Sequence, residues 1–140
     1  MANQIVPFDP HSNPFFLSAN ENPALVLVTP LLNGKNYESW ARSIKIALES
    51  KNKLDFISRG IPVPPPYEPL HDCWKRSNSM VLSWIQHSIE ESIAKSILWM
   101  NDASDVWKDL QERFSQFDFF KIAQLIEEFY HLSQGNRDIS

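Results

Sequence analysis

The chain has a single cysteine, Cys73, and only three glycines, Gly34, Gly60 and Gly135, in 140 residues. A lone cysteine excludes an intrachain disulfide and any zinc site built on cysteine pairs. Three isolated glycines cannot form Gly-x-Gly-x-x-Gly or Gly-x-x-x-x-Gly-Lys-Ser/Thr, so the standard phosphate-cradling loops are excluded too. Near the start the longest aliphatic stretch is Ala-Leu-Val-Leu-Val at 24–28, far short of the roughly 20 residues a membrane helix needs. The first residues lack the basic flank and long apolar centre of a secretory signal, and no Asn-x-Ser/Thr acceptor occurs. Basic charge is scarce: Lys and Arg number 13 against 17 Asp and Glu, for a net charge of −4 and a pI near 5.5. Indiscriminate attraction to phosphate backbones needs the opposite balance. These absences point to a soluble protein of a reducing compartment, the cytoplasm.

Histidine is sparse as well. The four, at 11, 71, 87 and 131, show none of the close pairings that set two imidazoles on one metal, so no metal and no cofactor is expected. His87 precedes Glu90 and Glu91 by three and four residues, a spacing that suits acid–base work. A helix boundary is expected between them, and no serine or cysteine nucleophile lies in a recognisable motif. His71, Asp72 and Cys73 are consecutive, which on a helix fans them outward instead of converging them. Cys73 reads as a small, semi-buried residue. No catalytic residue is assigned, and the chain is not expected to be an enzyme.

Present in quantity are apolar residues at 43% and aromatics at 12%, enough for one core and one all-α domain. Residues 1–23 contain Pro7, Pro10, Pro14 and Pro23 among Asn and Ser, the composition of a flexible arm. The helical domain is expected over 24–140. Leu25, Val26, Leu27 and Val28 lie between Pro23 and Pro30 and form an extended segment that must dock or self-associate. Asn36 stands at an N-cap position, and Tyr37, Trp40, Ala41, Ile44, Ala47 and Leu48 form one stripe behind it, predicting a helix over 37–50. Gly60 and the prolines at 62, 64, 65, 66 and 69 make a stiff connector that reads as a spacer, although such runs also serve as ligands for SH3-type domains. A helix over 68–87 follows, on Leu70, Trp74, Ser77, Val81, Trp84 and Ile85. Ser88 with Glu91 matches a capping box for a helix to about Met100. Asn101 and Asp102 then offer a break and a cap for a helix over 103–115, faced by Val106, Trp107, Leu110 and Phe114. A fifth helix is expected over 118–133, ended by Gly135. Its apolar coverage is broad, with Phe119 and Phe120 adjacent and Phe129 and Tyr130 adjacent, so part of it should meet another surface.

Trp40, Trp74, Trp84 and Trp107 each fall on the stripe of their own helix and read as core. Trp99 fits its stripe less well and is the tryptophan best suited to a contact surface. Residues 35–59 hold six basic and three acidic residues, a modest excess that reads first as a solvated helix face and second as an RNA contact.

The ordered series of motifs resembles a known family. "LNGKNYESW", Leu32 to Trp40, is similar to the Leu-x-Gly-x-Asn-Tyr-x-x-Trp signature near the start of Gag proteins of copia-type LTR retrotransposons, especially those of plants. "NPFFLSANENPALVLV" resembles that family's leader, "KNKLDFISRGIPVPPP" its proline spacer, "WKRSNSMVLSWI" and "ASDVWKDLQERFSQ" two of its helices, and "LSQGNRDIS" the segment after them. The resemblance spans nearly all of residues 13–140. It implies a structural, capsid-like protein that assembles into cytoplasmic particles and packages RNA, with no catalytic residues. On this likeness Gly34, Asn36, Tyr37 and Trp40 belong to the signature, Asn36 capping the first helix, while Trp84, Trp107, Leu110 and Phe114 are framework of the bundle. Such Gag proteins usually continue into a Cys-x-x-Cys-x-x-x-x-His-x-x-x-x-Cys knuckle that grips RNA. The chain is therefore expected to be a Gag N-terminal region truncated at its C-terminus, a fragment of an element or a host gene derived from one.

Two roles follow. One is an assembly module that binds itself or other Gag-like chains through Leu25 to Val28, Trp99 or the Phe119 and Phe120 region. The other is an adaptor for RNA or another protein through residues 35–59. Neither involves a membrane.

Overall fold

The stripe that begins at Tyr37 folds as helix α1, Tyr37–Ser50, and buries Tyr37, Trp40, Ala41, Ile44 and Leu48. The computed structural model describes residues 13–138, with side chains for all of these except 116–121 and 134–138. The first half of the N-terminal arm and the side chains of Phe119 and Phe120 lie outside it. After α1 come α2, Asp55–Ser58; α3, Leu70–His87; α4, Glu91–Ile97; and α5, Ala103–Asp138. The all-α expectation holds: among the described residues there is no strand, only a single parallel bridge between Leu32 and Ile89.

Several boundaries differ from the sequence reading, α4 among them, which spans Glu91–Ile97 where a helix from Ser88 to about Met100 is expected. The helices expected over 103–115 and 118–133 are one helix of 36 residues, about 54 Å long at 1.5 Å per residue. No proline or glycine interrupts 103–134, so nothing local forces a break. Gly135 lies inside the helix, since its cost of about 1 kcal/mol is borne by the turns around it. The turn α2, with Phe56 and Ile57 buried, escapes notice in sequence because four residues are too few to show a period.

Two caps also differ. Asn36 occupies the N-cap position of α1, but its side chain makes no cap hydrogen bond. Its Oδ1 accepts from the Asn33 N–H and its Nδ2–H donates to Leu31 O, so it braces the turn before the helix. Ser88 does not form a capping box with Glu91; Glu90 takes the N-cap position of α4. The Ser88 hydroxyl donates to Trp84 O and accepts from the Leu27 N–H. Its carbonyl accepts from the Leu32 N–H and from the Trp40 indole. Ser88 is fully buried, and four hydrogen bonds at one residue tie the leader, α1 and α3 together. Asp102 does act as expected, its Oδ1 accepting from the N–H and the hydroxyl of Ser104 at the start of α5.

Residues 13–30 are fastened across the helices. Trp84 Nε1–H donates to Asn22 O, Lys53 Nζ to Phe16 O, and the hydroxyls of Ser77 and Ser83 to Phe15 O and Pro23 O. The Phe15 ring meets Phe56 edge-on, with centroids 6.3 Å apart. Proline-rich backbone has few donors of its own to offer, but its carbonyls are good acceptors, and side chains of the folded body supply the donors.

The core lies where the first third of α5 crosses α1, α2 and α3. Val106 and Leu110 of α5 are fully buried, and Trp107 stacks on Trp40 at 5.7 Å between centroids. Beyond Ser115 the helix leaves the body behind: Ile122, Leu125, Ile126, Phe129, Tyr130 and Leu132 are all exposed.

Candidate functional site

The signature residues converge on one junction. Gly34 has φ +89°, a region that disfavours side chains, and a Cβ there would stand 3.3 Å from the Phe114 ring. The glycine thus lets the Leu32–Asn36 turn lie directly against α5. Tyr37 and Trp40 are in tilted ring contact at 6.2 Å, and Trp40 in turn stacks on Trp107. Leu110 is buried in the same core and Phe114 packs at its margin. Trp84 belongs to the opposite side of the junction, reached through Ser88. These eight positions join the segment before α1 to α5, and none presents a convergent set of polar groups to solvent.

The interaction candidates do not come together. Leu27 and Val28 pack against the core, whereas Leu25 and Val26 are exposed. Trp99, at the far end of α4, is 75% exposed, and its indole N–H donates to Ser96 O within its own turn. Trp74 is half-buried against Phe56. The larger surface is one that the sequence reading only implied: the second half of α5. There Ile122, Leu125, Ile126, Phe129 and Leu132 recur at three and four residues, so they share one helical face. Gln124, Glu127, Glu128 and His131 fall on the other, where Glu127 and His131 pair at 3.8 Å.

Two open grooves, of about 690 and 650 Å³, run between α1 and α5 and between α2 and α5. They share Lys45 and Gln111, and neither is lined by a cysteine or a histidine. His87 Nδ1 sits 2.8 Å from Ser83 O on an exposed face, and His71 Nδ1 sits 2.9 Å from Pro64 O. No group of three or more His, Cys, Asp or Glu is placed to hold a metal among the described residues. None of their helices is long and apolar enough to cross a membrane.

Half of the basic residues at 35–59 are engaged within the fold, while Lys35, Arg42 and Lys45 are exposed. Lys51 pairs with Glu21 at 3.2 Å and lies 4.9 Å from the Trp84 ring centroid. Arg59 pairs with Asp102 and Asp105. Lys53 is buried, its ammonium donating to Phe16 O at 2.7 Å. Burial pushes the Lys53 pKa below its ordinary value of 10.5, with Glu21 pulling it up in part and Lys51 adding to the depression. In the folded chain this group therefore releases its proton at lower pH than in the unfolded one. Its contribution to stability is least favourable below the folded pKa and rises as pH climbs towards 10.5. The stability of the natural chain relative to Lys53→Met should increase over that window in urea titrations at successive pH values. A difference that stays flat or falls would contradict the burial of the charge.

Comparison with known proteins bears on this junction directly. Residues 18–65 match the Gag-polypeptide family of LTR copia-type elements. This segment is similar to the N-terminal region of copia-type Gag. No curated protein and no solved structure matches the chain. The matched segment covers the leader, the signature turn, α1, α2 and the start of the proline connector. Its partners in the junction, Ser88 and the first third of α5, lie outside the match, so the family signature is one half of an interface that the rest of the chain completes.

Proposed function

We propose that the chain is a structural assembly module of Gag type, acting without catalysis in the cytoplasm and associating with further copies of itself. The observation that carries this reading is the apolar face of α5 beyond the body. Its six exposed large side chains present on the order of 800 Å², the share one partner contributes to an ordinary stable interface and more than a monomer usually leaves open. The face is self-complementary when two such helices run antiparallel. Ile122 then lies opposite Leu132, and Leu125 opposite Phe129, of a second copy, which gives four apolar layers and keeps the two bodies at opposite ends of the pair.

The adaptor reading has less support. Three of the six basic residues at 35–59 are occupied within the fold, which reduces the free cationic charge a phosphate backbone could meet there. Molar mass by light scattering across a concentration series tests the proposal. Mass rising from that of one chain to that of a defined oligomer is the expected result, and a monomer throughout the micromolar to high micromolar range would overturn it.

A further inference from the structure

A different surface, unrelated to self-association, lies in the connector between α2 and α3. Residues 62–69 read Pro-Val-Pro-Pro-Pro-Tyr-Glu-Pro. Each proline holds its own φ near −65° and pushes the residue before it towards polyproline II geometry, so Val63, Pro64 and Pro65 have little conformational choice. The Glu68 N–H donates to Pro65 O at 3.0 Å, closing a turn with Pro66 and Tyr67 at its corners. Both ends are anchored: Ile61 packs against the core, and the His71 ring holds Pro64 O. Pro62, Val63 and Pro66 are exposed, while Pro64 and Pro65 are half-buried and keep solvent-facing surface.

Tyr67 is the feature a spacer does not explain. At 84% it is the most exposed of the large hydrophobic side chains described. Its ring and hydroxyl have no hydrogen-bond or ring partner among the described residues. A tyrosine with an apolar body and a polar tip, held out by a rigid turn, is well suited to enter a pocket. Its ordering costs have already been met by the fold, which is the condition for affinity from a small contact. The motif straddles the end of the family match, with Pro64 and Pro65 inside it and Pro66 and Tyr67 just past residue 65.

We propose that Pro64-Pro65-Pro66-Tyr67 is a docking peptide for a WW-type domain, its polyproline turn lying in that domain's aromatic-lined groove and the Tyr67 ring filling the adjoining pocket. The tyrosine favours this class over an SH3-type groove, which takes the prolines alone.

The test is isothermal titration of the full chain with a purified WW domain that accepts Pro-Pro-x-Tyr peptides. A free peptide of residues 60–70 and an SH3 domain are titrated in parallel. The expected result is saturable one-to-one binding of the WW domain to the full chain, weakened at least about tenfold by Tyr67→Ala, as for a central aromatic anchor. Circular dichroism should be unchanged in that variant, because the side chain touches little. Binding by the free peptide but not the full chain would overturn the proposal, since the fold would then be withholding the motif. So would failure of both to bind, or binding that Tyr67→Ala leaves intact, including binding to the SH3 domain through the prolines.

Discussion

Trp40→Ala is expected to lose about 3–5 kcal/mol of folding stability, the range for removing a large aromatic from a packed core. The side chain is 1% exposed, stacks on Trp107 and touches Tyr37, so its removal opens a void bounded by α1 and α5 that a rigid bundle cannot collapse into. The indole also donates to Ser88 O at 2.8 Å, but that carbonyl keeps the Leu32 N–H. The hydrogen-bond share of the loss is therefore the smaller one. Against a domain stability of about 5–15 kcal/mol, the variant should sit near the edge of folding, with its urea midpoint shifted far down. Trp99→Ala is the control. That side chain stands in solvent, and its replacement should change stability by no more than about 0.5 kcal/mol. Equal losses in the two variants would mean that the Trp40–Trp107 stack is not the centre of the fold.

Leu125→Glu with Phe129→Glu is expected to hold the chain as a monomer at concentrations where the natural chain associates. Both positions lie on the exposed face of α5, and in the antiparallel pairing each faces the other in a second copy. The double variant therefore sets carboxylates opposite one another in two adjacent layers, beside the Glu127 and Glu128 already present. Burying such charges unpaired costs several kcal/mol, enough to move the association constant by about two orders of magnitude or more. Glutamate is a good helix former, and neither side chain supports the body, so helicity by circular dichroism should persist. Loss of helical signal together with loss of association would show that this part of α5 belongs to the folding unit. Unchanged association would place the contact elsewhere, with Leu25, Val26 and Trp99 as the remaining exposed apolar residues among the interaction candidates.

Much of the fold was legible before any coordinates because long amphipathic helices announce themselves by period. The stripe from Tyr37 to Leu48 predicted α1 with its observed bounds, and that from Leu70 to Ile85 predicted α3 to within two residues at its start. The same periodicity assigns Trp40, Trp74, Trp84 and Trp107 to the core; three are buried, and Trp74 is half-buried at its edge. Hydrogen-bonding roles fared differently. Asn36 and Ser88 both matched local capping patterns, and both spend their side chains on other partners. A capping pattern states what a side chain can reach along the chain; it does not know that a more distant donor will arrive first.

By itself the sequence determined that this is a helical protein with an aromatic core, no cysteine-based metal or disulfide chemistry, and a motif similar to that of copia-type Gag ahead of its first long helix. Those properties reside in composition, period and motif order, which do not change on folding. Tertiary structure alone decided that residues 13–30 are fastened down, that Ser88 is the knot between the leader, α1 and α3, and that α5 runs unbroken past the body. Each depends on which groups meet across tens of residues: leader carbonyls with the Trp84 and Lys53 donors, Leu32 with Ser88, and Gly34 with Phe114. The exposed half of α5 follows from the same cause, since whether an apolar face is core or contact surface depends on where the rest of the chain ends up.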